Sequence, residues 1–219
     1  MDKPTVASVT ADLIAEQDAL DAVVAPLATE DWERATPSPR WAVRDQIGHL
    51  AFFDMIDGIL TAIHEAENDD QIGAVVVHGR EGKFSAGFDL GVMMADDQSA
   101  IVNLVANGGE LVRTLYGCSV PVVAASTGHA LAAGALMLLG CDVRVGADVP
   151  AKVGLNEVAI KMVLPDWALT IAGARLSKRH MQRSIVNARI TSPADAVDVG
   201  FLDEVVPADE LLDLSLIHI

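Results

Sequence analysis

The sequence is poor in basic residues: 15 Lys and Arg stand against 31 Asp and Glu in 219 residues, a formal net charge of −16. A field of that sign repels nucleic acid and anionic membrane surfaces, so we expect neither as a partner. The chain also lacks a run of about 18 apolar residues and an N-terminal signal pattern. We therefore expect a cytoplasmic protein without a membrane span.

Cysteine is scarce as well. Cys118 and Cys141 lie 23 residues apart and form no CxxC pair or Cys/His cluster. We interpret both as reduced core residues rather than metal ligands or a disulfide. Aromatic residues are only 4% of the chain, but hydrophobic residues reach 51%, which is enough for a substantial core.

The hydrophobic periodicity changes along the chain from a helical pattern to an alternation of strands and helices. Helices are predicted at residues 10–28, 41–66, 98–116, 166–176, 178–188, 192–199 and 207–214. Strands are predicted at residues 72–79, 121–126, 142–147, 151–158 and 204–206. A turn-rich connector is predicted at residues 29–40. This order predicts an α/β protein with a mostly parallel sheet, preceded by an α-helical hairpin.

Two small-residue segments can bring backbone N–H groups close to a ligand. They are FSAGFDL (84–90), predicted as a glycine-containing loop, and GHALAAGALMLLGCD (128–142), predicted as a small-residue turn that opens into an apolar helix. Helix N-termini present unpaired N–H groups, and two such donors on one carbonyl oxygen would stabilise an enolate. Each segment alone is as well explained by close backbone packing.

The two segments together are more specific. With VGLNEVAI (153–160) and ITSPADAVDVGFLDEVVP (190–207), they resemble the crotonase (enoyl-CoA hydratase/isomerase) superfamily in order, spacing and flanking strands. The resemblance covers about residues 55–214. It implies a ββα spiral, an acyl-CoA substrate in which coenzyme A is part of the substrate, no separate cofactor, and a homo-oligomer such as the family's trimers and hexamers.

The resemblance also assigns site residues. It implies an oxyanion hole from the N–H groups of Phe88 and Ala133, and Glu157 as the catalytic residue. Substrate-binding positions follow at Ala86, Asp89, Leu90, Gly134 and Leu136. The family's hydratases carry a second glutamate where this chain has Leu136. With Glu157 alone, a proton shuttle on one face remains feasible, so double-bond isomerisation is favoured over hydration. A non-catalytic acyl-CoA binder and an inactive product are the alternatives.

Other side chains near these segments have two interpretations each. Arg80 and Lys83 can meet the phosphates of CoA or can lie in a solvated loop. His129 is interpreted as structural. Met162 and Trp167 are candidates for the wall of an acyl pocket or for core packing.

The front of the chain has a different pattern. Residues 11–54, with W-x-V-x-D-x-x-x-H-L ending at Leu50, resemble the first helices of mycothiol-dependent maleylpyruvate isomerases, a four-helix metal-binding family. His49 matches one metal ligand of that family, but a single His makes no metal site, so we expect none. The expected organisation is half a helical bundle at 1–54, a crotonase-like core truncated at both ends at 55–214, and a tail at 215–219, as in a gene fusion.

Overall fold

The computed structural model describes residues 22–35, 56–94 and 96–217. The chain divides into two compact units, Met1–Leu50 and Ala51–Ile219. In the first unit, residues 22–24 are helical and a short helix α1 spans Thr29–Trp32. The predicted connector therefore contains a helical turn, which Asp31 stabilises by accepting a hydrogen bond from the Ala28 N–H at 3.2 Å. His49 lies outside the described residues.

The second unit alternates strands and helices. Its helices are α2 (residues 56–67), α3 (Leu90–Met93), α4 (Gln98–Gly117), α5 (Ala133–Gly140), α6 (Asp166–Arg175), α7 (Lys178–Ile185), α8 (Pro193–Val199) and α9 (Leu211–Ile217). Its strands are β1 (Val75–His78), β2 (Gly82–Ser85), β3 (Val122–Ser126), β4 (Gly128–Leu131), β5 (Val143–Ala147), β6 (Val153–Gly154) and β7 (Glu204–Val206). A 3₁₀ turn spans Val158–Ile160.

The strands form two parallel sheets. One sheet has the order β1-β3-β5-β7, and the other has the order β2-β4-β6. Val76 pairs with Val123 in the first sheet, and Lys83 pairs with His129 in the second. The predicted α/β class with parallel strands is therefore confirmed.

Two local predictions were wrong. Residues 128–131 form strand β4 instead of a turn, because β4 pairs with β2 on one side and with β6 on the other. The predicted strand at 151–158 is only Val153–Gly154 long, and Glu157 lies at the N-cap position of the 3₁₀ turn, without a capping hydrogen bond from its side chain. Both errors concern the small second sheet, whose strands are held by neighbours distant in sequence.

Helix α5 is the centre of the core, since all eight of its residues are buried. It packs against α4 and α6 and against strands β2 and β4. Burial on every side fits its almost wholly apolar sequence, AGALMLLG. The start of α5, which belongs to the second site segment, is thereby fixed against strand β2, which carries the beginning of the first.

Candidate active site

The two small-residue segments meet where β2 ends and α5 begins. A methyl group added at Gly87 would lie 2.8 Å from the Ala132 Cβ and 3.1 Å from the Ala133 backbone nitrogen. A methyl group added at Gly134 would lie 2.5 Å from the Ser85 carbonyl oxygen. Both approaches are too close for any side chain, so the glycines allow the two backbones to touch.

The backbone at Ala132 turns sharply into α5. Ala132 has φ 51° and ψ −124°, a conformation that costs a residue with a Cβ about 1–3 kcal/mol. Its N–H donates to the Gly154 carbonyl at 3.0 Å, and its own carbonyl accepts from the Ala135 and Leu136 N–H groups at 2.9 and 3.1 Å. The strained turn is therefore held at both ends by hydrogen bonds.

The turn leaves two donors at the start of α5. Among the described residues, none accepts a hydrogen bond from the N–H of Ala133 or of Gly134. These groups lie at the positive end of the α5 dipole, which favours a developing negative charge. The local chemistry is that of an anion-stabilising turn.

Phe88 follows Gly87 in the same loop and is anchored by its ring. A methyl group at Gly108 of α4 would lie 2.3 Å from the Phe88 Cζ, so the ring occupies the space above that glycine. Asp89 comes next, and its carboxylate accepts a hydrogen bond from the Gly91 N–H at 2.6 Å. This bond stabilises the first turn of α3, which begins at Leu90.

A cavity of about 340 Å³ opens beside this loop. It is lined by four of the residues that the sequence assigned to the site, Ala86, Phe88, Leu136 and Glu157, and by both candidate walls, Met162 and Trp167. The predicted residues Asp89, Ala133 and Gly134 are not among the described residues that line it, and the side chain of Leu90 lies outside the described part of the chain. The remaining lining residues, which the sequence reasoning missed, are Met93, Ile101, Val105, Ala132, Asn156, Ile160, Val163 and Pro165.

Glu157 is the only ionisable side chain among the described residues that line this cavity. It is 7% exposed, and its Oε2 has no hydrogen-bond partner within the described part of the chain. Burial raises the pKa of the Glu157 carboxyl, and hydrogen bonds from the backbone of Glu157 and Asn156 oppose the rise in part. A buried carboxyl of raised pKa, with one oxygen that has no hydrogen-bond partner among the described residues, is suited to taking up and returning a proton.

Leu136 lines the same cavity and is 1% exposed. It places an aliphatic group on the cavity wall, at the position where the crotonase resemblance implies a second glutamate in hydratases. The cavity therefore combines a single carboxyl with an apolar lining next to the anion-stabilising turn.

Comparison with protein families matches residues 52–218 to the enoyl-CoA hydratase/isomerase family. The chain belongs to that family. The matched segment contains both halves of the site, and the crotonase resemblance predicted from the sequence is confirmed. The family match begins at residue 52, so the resemblance of residues 11–54 to maleylpyruvate isomerases stays a prediction.

Relatives within the enoyl-CoA hydratase/isomerase family carry both activity names. The chain is 35% identical over 152 residues to the mouse mitochondrial enoyl-CoA delta isomerase 1, and the matched residues are 68% of this chain and 53% of the relative. The corresponding human isomerase is 29% identical, over 74% of this chain and 55% of the relative. The chain thus spans about half the length of these curated relatives.

Solved structures of the family share the fold. An enoyl-CoA hydratase/isomerase family protein from Pseudomonas syringae superposes with a TM-score of 0.72 at 39% identity, covering 75% of this chain and 70% of that one. Human mitochondrial delta3-delta2-enoyl-CoA isomerase superposes with a TM-score of 0.72 at 29% identity, and the match covers 75% of this chain and 65% of that one. An enoyl-CoA hydratase from Mycobacterium marinum superposes with a TM-score of 0.69 at 34% identity, and the match covers 75% of this chain and 71% of that one. These matches confirm the crotonase-like α/β fold.

In the described residues, no helix is long and apolar enough to span a membrane. The predicted cytoplasmic location and the predicted homo-oligomer stay predictions, and two of the isomerase relatives are named as mitochondrial.

Proposed function

We propose that this protein shifts the double bond of a 3-enoyl-CoA thioester to position 2, with Glu157 as the one proton carrier. The observation that carries the proposal is that Glu157 is the only ionisable side chain among the described residues that line the cavity. The isomerase names of two relatives support the same reaction.

The reaction needs one base and one anion site. The Glu157 carboxylate removes a proton from C2 of the thioester, and the electron pair of that C–H bond moves into an enolate. The N–H groups of Phe88 and Ala133 are proposed to stabilise the enolate oxygen. The protonated Glu157 then returns the proton to C4 while the double bond moves to C2–C3, so the product has the same atoms as the substrate.

Hydration needs an additional group. A water molecule must be held and activated for attack at C3, a task for two carboxylates that share it. Leu136, at the position of the second carboxylate, offers no hydrogen bond, so a bound water would be held by Glu157 alone. The same leucine keeps the cavity apolar, which favours the raised pKa of Glu157.

The phosphates of CoA are proposed to meet a row of basic side chains on the second sheet. Lys83 of β2 pairs with His129 of β4, and the Lys152 N–H donates to the His129 Nδ1 at 2.9 Å. Lys83 and Lys152 are exposed. The His129 hydrogen bond supports the structural interpretation of that residue, while the two lysines and the exposed Arg80 provide positive charge in a strongly acidic chain.

The test compares wild type with Glu157→Gln and with Glu65→Gln, an exposed control on α2. Binding of an acyl-CoA is measured by calorimetry, and conversion of 3-enoyl-CoA and of 2-enoyl-CoA is followed in separate assays. We expect Glu157→Gln to bind and to lose isomerisation by about 10²-fold or more, and Glu65→Gln to match wild type.

Three results would overturn the proposal. Faster hydration of 2-enoyl-CoA than isomerisation would make the protein a hydratase. Binding without turnover would make it an acyl-CoA binder. Failure of the wild-type protein to bind any acyl-CoA would indicate an inactive product.

A further inference from the structure

A second cavity of about 370 Å³ lies between α4 and α6, outside the acyl pocket of the proposed reaction. Its lining residues are Gly109, Val112, Arg113, Tyr116, Trp167, Thr170, Ile171 and Ala174. Two of the polar members are already engaged: Arg113 pairs with Glu110, and the Thr170 hydroxyl donates to the Asp166 carbonyl at 2.8 Å. The remaining surface is suited to an alkyl chain rather than to a charged ligand.

The two cavities follow one another along the same face of α4. Ile101 and Val105 line the first cavity, and Gly109, Val112 and Tyr116 line the second. Steps of three and four residues keep all five on one side of a helix. At 1.5 Å per residue, the face from Ile101 to Tyr116 is about 22 Å long.

The side chain of Trp167 borders both cavities. Within the described residues, Trp167 is the one side chain that lines both. It lies on Gly109, where an added methyl group would come within 3.0 Å of the Trp167 Nε1. That Nε1 is buried and has no hydrogen-bond partner among the described residues, so packing alone holds the indole in place.

We propose that Trp167 sets the longest acyl chain that the protein accepts, by closing the acyl pocket against the second cavity. The inference rests on the proposed function, since it concerns the substrate of the same site. An alkyl chain that enters beside Glu157 extends along Ile101 and Val105 until it meets the indole. Longer chains must leave their end in solvent, although an apolar cavity of similar size lies directly behind the ring.

The test measures the affinity of saturated acyl-CoAs of increasing length by calorimetry. In wild type, we expect affinity to rise about fourfold for each buried methylene and to stop rising once the chain reaches the indole. Trp167→Ala joins the cavities, so the rise continues to chains several methylenes longer. Leu169→Ala, on the same helix but lining neither cavity, keeps the wild-type limit.

A second substitution on α4 separates this role from a general effect on folding. Gly109→Leu in the Trp167→Ala background refills the passage from the opposite side, and we expect it to restore the wild-type limit. Trp167→Leu, which retains more packing, is expected to give an intermediate limit and provides the measurement if the alanine variant unfolds.

The outcomes distinguish this inference from the proposed function. If every variant binds acyl-CoA with the wild-type length limit, the role of Trp167 is refuted while the proposed function stands. If the wild type binds no acyl-CoA of any length, the proposed function is refuted, and the inference with it.

Discussion

The buried carboxyl of Glu157 leads to a prediction in which stability and activity change in opposite directions. Burial raises its pKa in the folded protein above the value of about 4.3 expected in the unfolded chain. Between those two pKa values the folded state binds more protons than the unfolded state, so the free energy of unfolding falls as pH rises. Above the folded pKa the loss is complete and constant.

The size of the effect follows from the same relation. Stability decreases by about 1.4 kcal/mol for each pH unit that separates the two pKa values, because that is the free energy of a tenfold change in proton affinity. Glu157 as a residue is only 7% exposed, so solvent screening of its charge is limited. Glu157→Gln has no charge to bury. We therefore expect its free energy of unfolding at neutral pH to exceed that of wild type by the whole pH-dependent loss that Glu157 causes, while its turnover is lost.

Urea unfolding of both proteins between pH 4 and pH 8 provides the measurement. The difference in unfolding free energy should be smallest near pH 4 and should grow until the folded pKa is passed. Three other carboxyls have a lowered pKa, those of Glu67, Glu110 and Asp198. They give the opposite slope in both proteins and cancel in the difference. In wild type, kcat/KM should rise with pH over the same interval, since the base must be ionised. A flat difference, or a glutamine variant that is less stable at pH 8, would show that the carboxyl is well solvated and would refute the reasoning.

Three further predictions concern the backbone of the site and the ion pair that supports the sheet. Ala132→Gly relieves the strained turn and should raise the unfolding free energy by about 1 kcal/mol with unchanged fold, measured by thermal and urea unfolding; a loss of stability would mean that the turn is not strained. Gly134→Ala forces a methyl group to within 2.5 Å of the Ser85 carbonyl oxygen. It should lower the free energy of unfolding by about 2 kcal/mol and abolish acyl-CoA binding. A variant that binds acyl-CoA with wild-type affinity in calorimetry would contradict the close approach. Asp203→Ala removes the carboxylate that accepts a hydrogen bond from the Arg144 Nε at 2.9 Å. Because Arg144 is 6% exposed, the free energy of unfolding, measured with urea, should fall by about 2–3 kcal/mol. A fall of less than about 0.5 kcal/mol, which is typical of a surface salt bridge, would show that the pair contributes little.

The site segments could be predicted from the sequence because their chemistry is local. Gly87 and Gly134 stand where a side chain would collide with backbone, and small residues surround them. Glu157 follows a short strand at the spacing that the family resemblance requires. At these positions the residue that the backbone requires is also the residue that the site requires. The sequence alone therefore predicted that the two segments lie together.

The second sheet could not be predicted in the same way. Strand β4 was interpreted as a turn, since GHAL has small residues and no period of two. It becomes a strand because β2 and β6 lie on either side of it, and the Ala130 N–H donates to the Lys152 carbonyl at 3.0 Å. Pairing between segments more than 20 residues apart leaves no signal in the hydrophobic pattern of either one.

The walls of the cavities illustrate a third limit. Ile101 and Val105 have the helical spacing of a buried face, and this spacing predicts core packing as well as it predicts a pocket wall. What decides between the two is the position of α6, which presents Trp167 to the same face of α4 and leaves space on both sides of the indole. The glycine that receives the ring, Gly109, sits inside a helix where glycine costs about 1 kcal/mol relative to alanine, so its presence was a signal that a side chain from elsewhere occupies that position.

Leu136 links the chemistry of the site to its electrostatics. A leucine at this position removes a second acid, and it also replaces a group that would bring water into the cavity. The Glu157 carboxyl is desolvated in this apolar lining, and its pKa rises through burial instead of through a neighbouring negative charge. Under the proposed function, the residue that disfavours hydration therefore also makes the remaining carboxyl a stronger base, so Leu136 affects both the number of carboxylates and the proton affinity of Glu157.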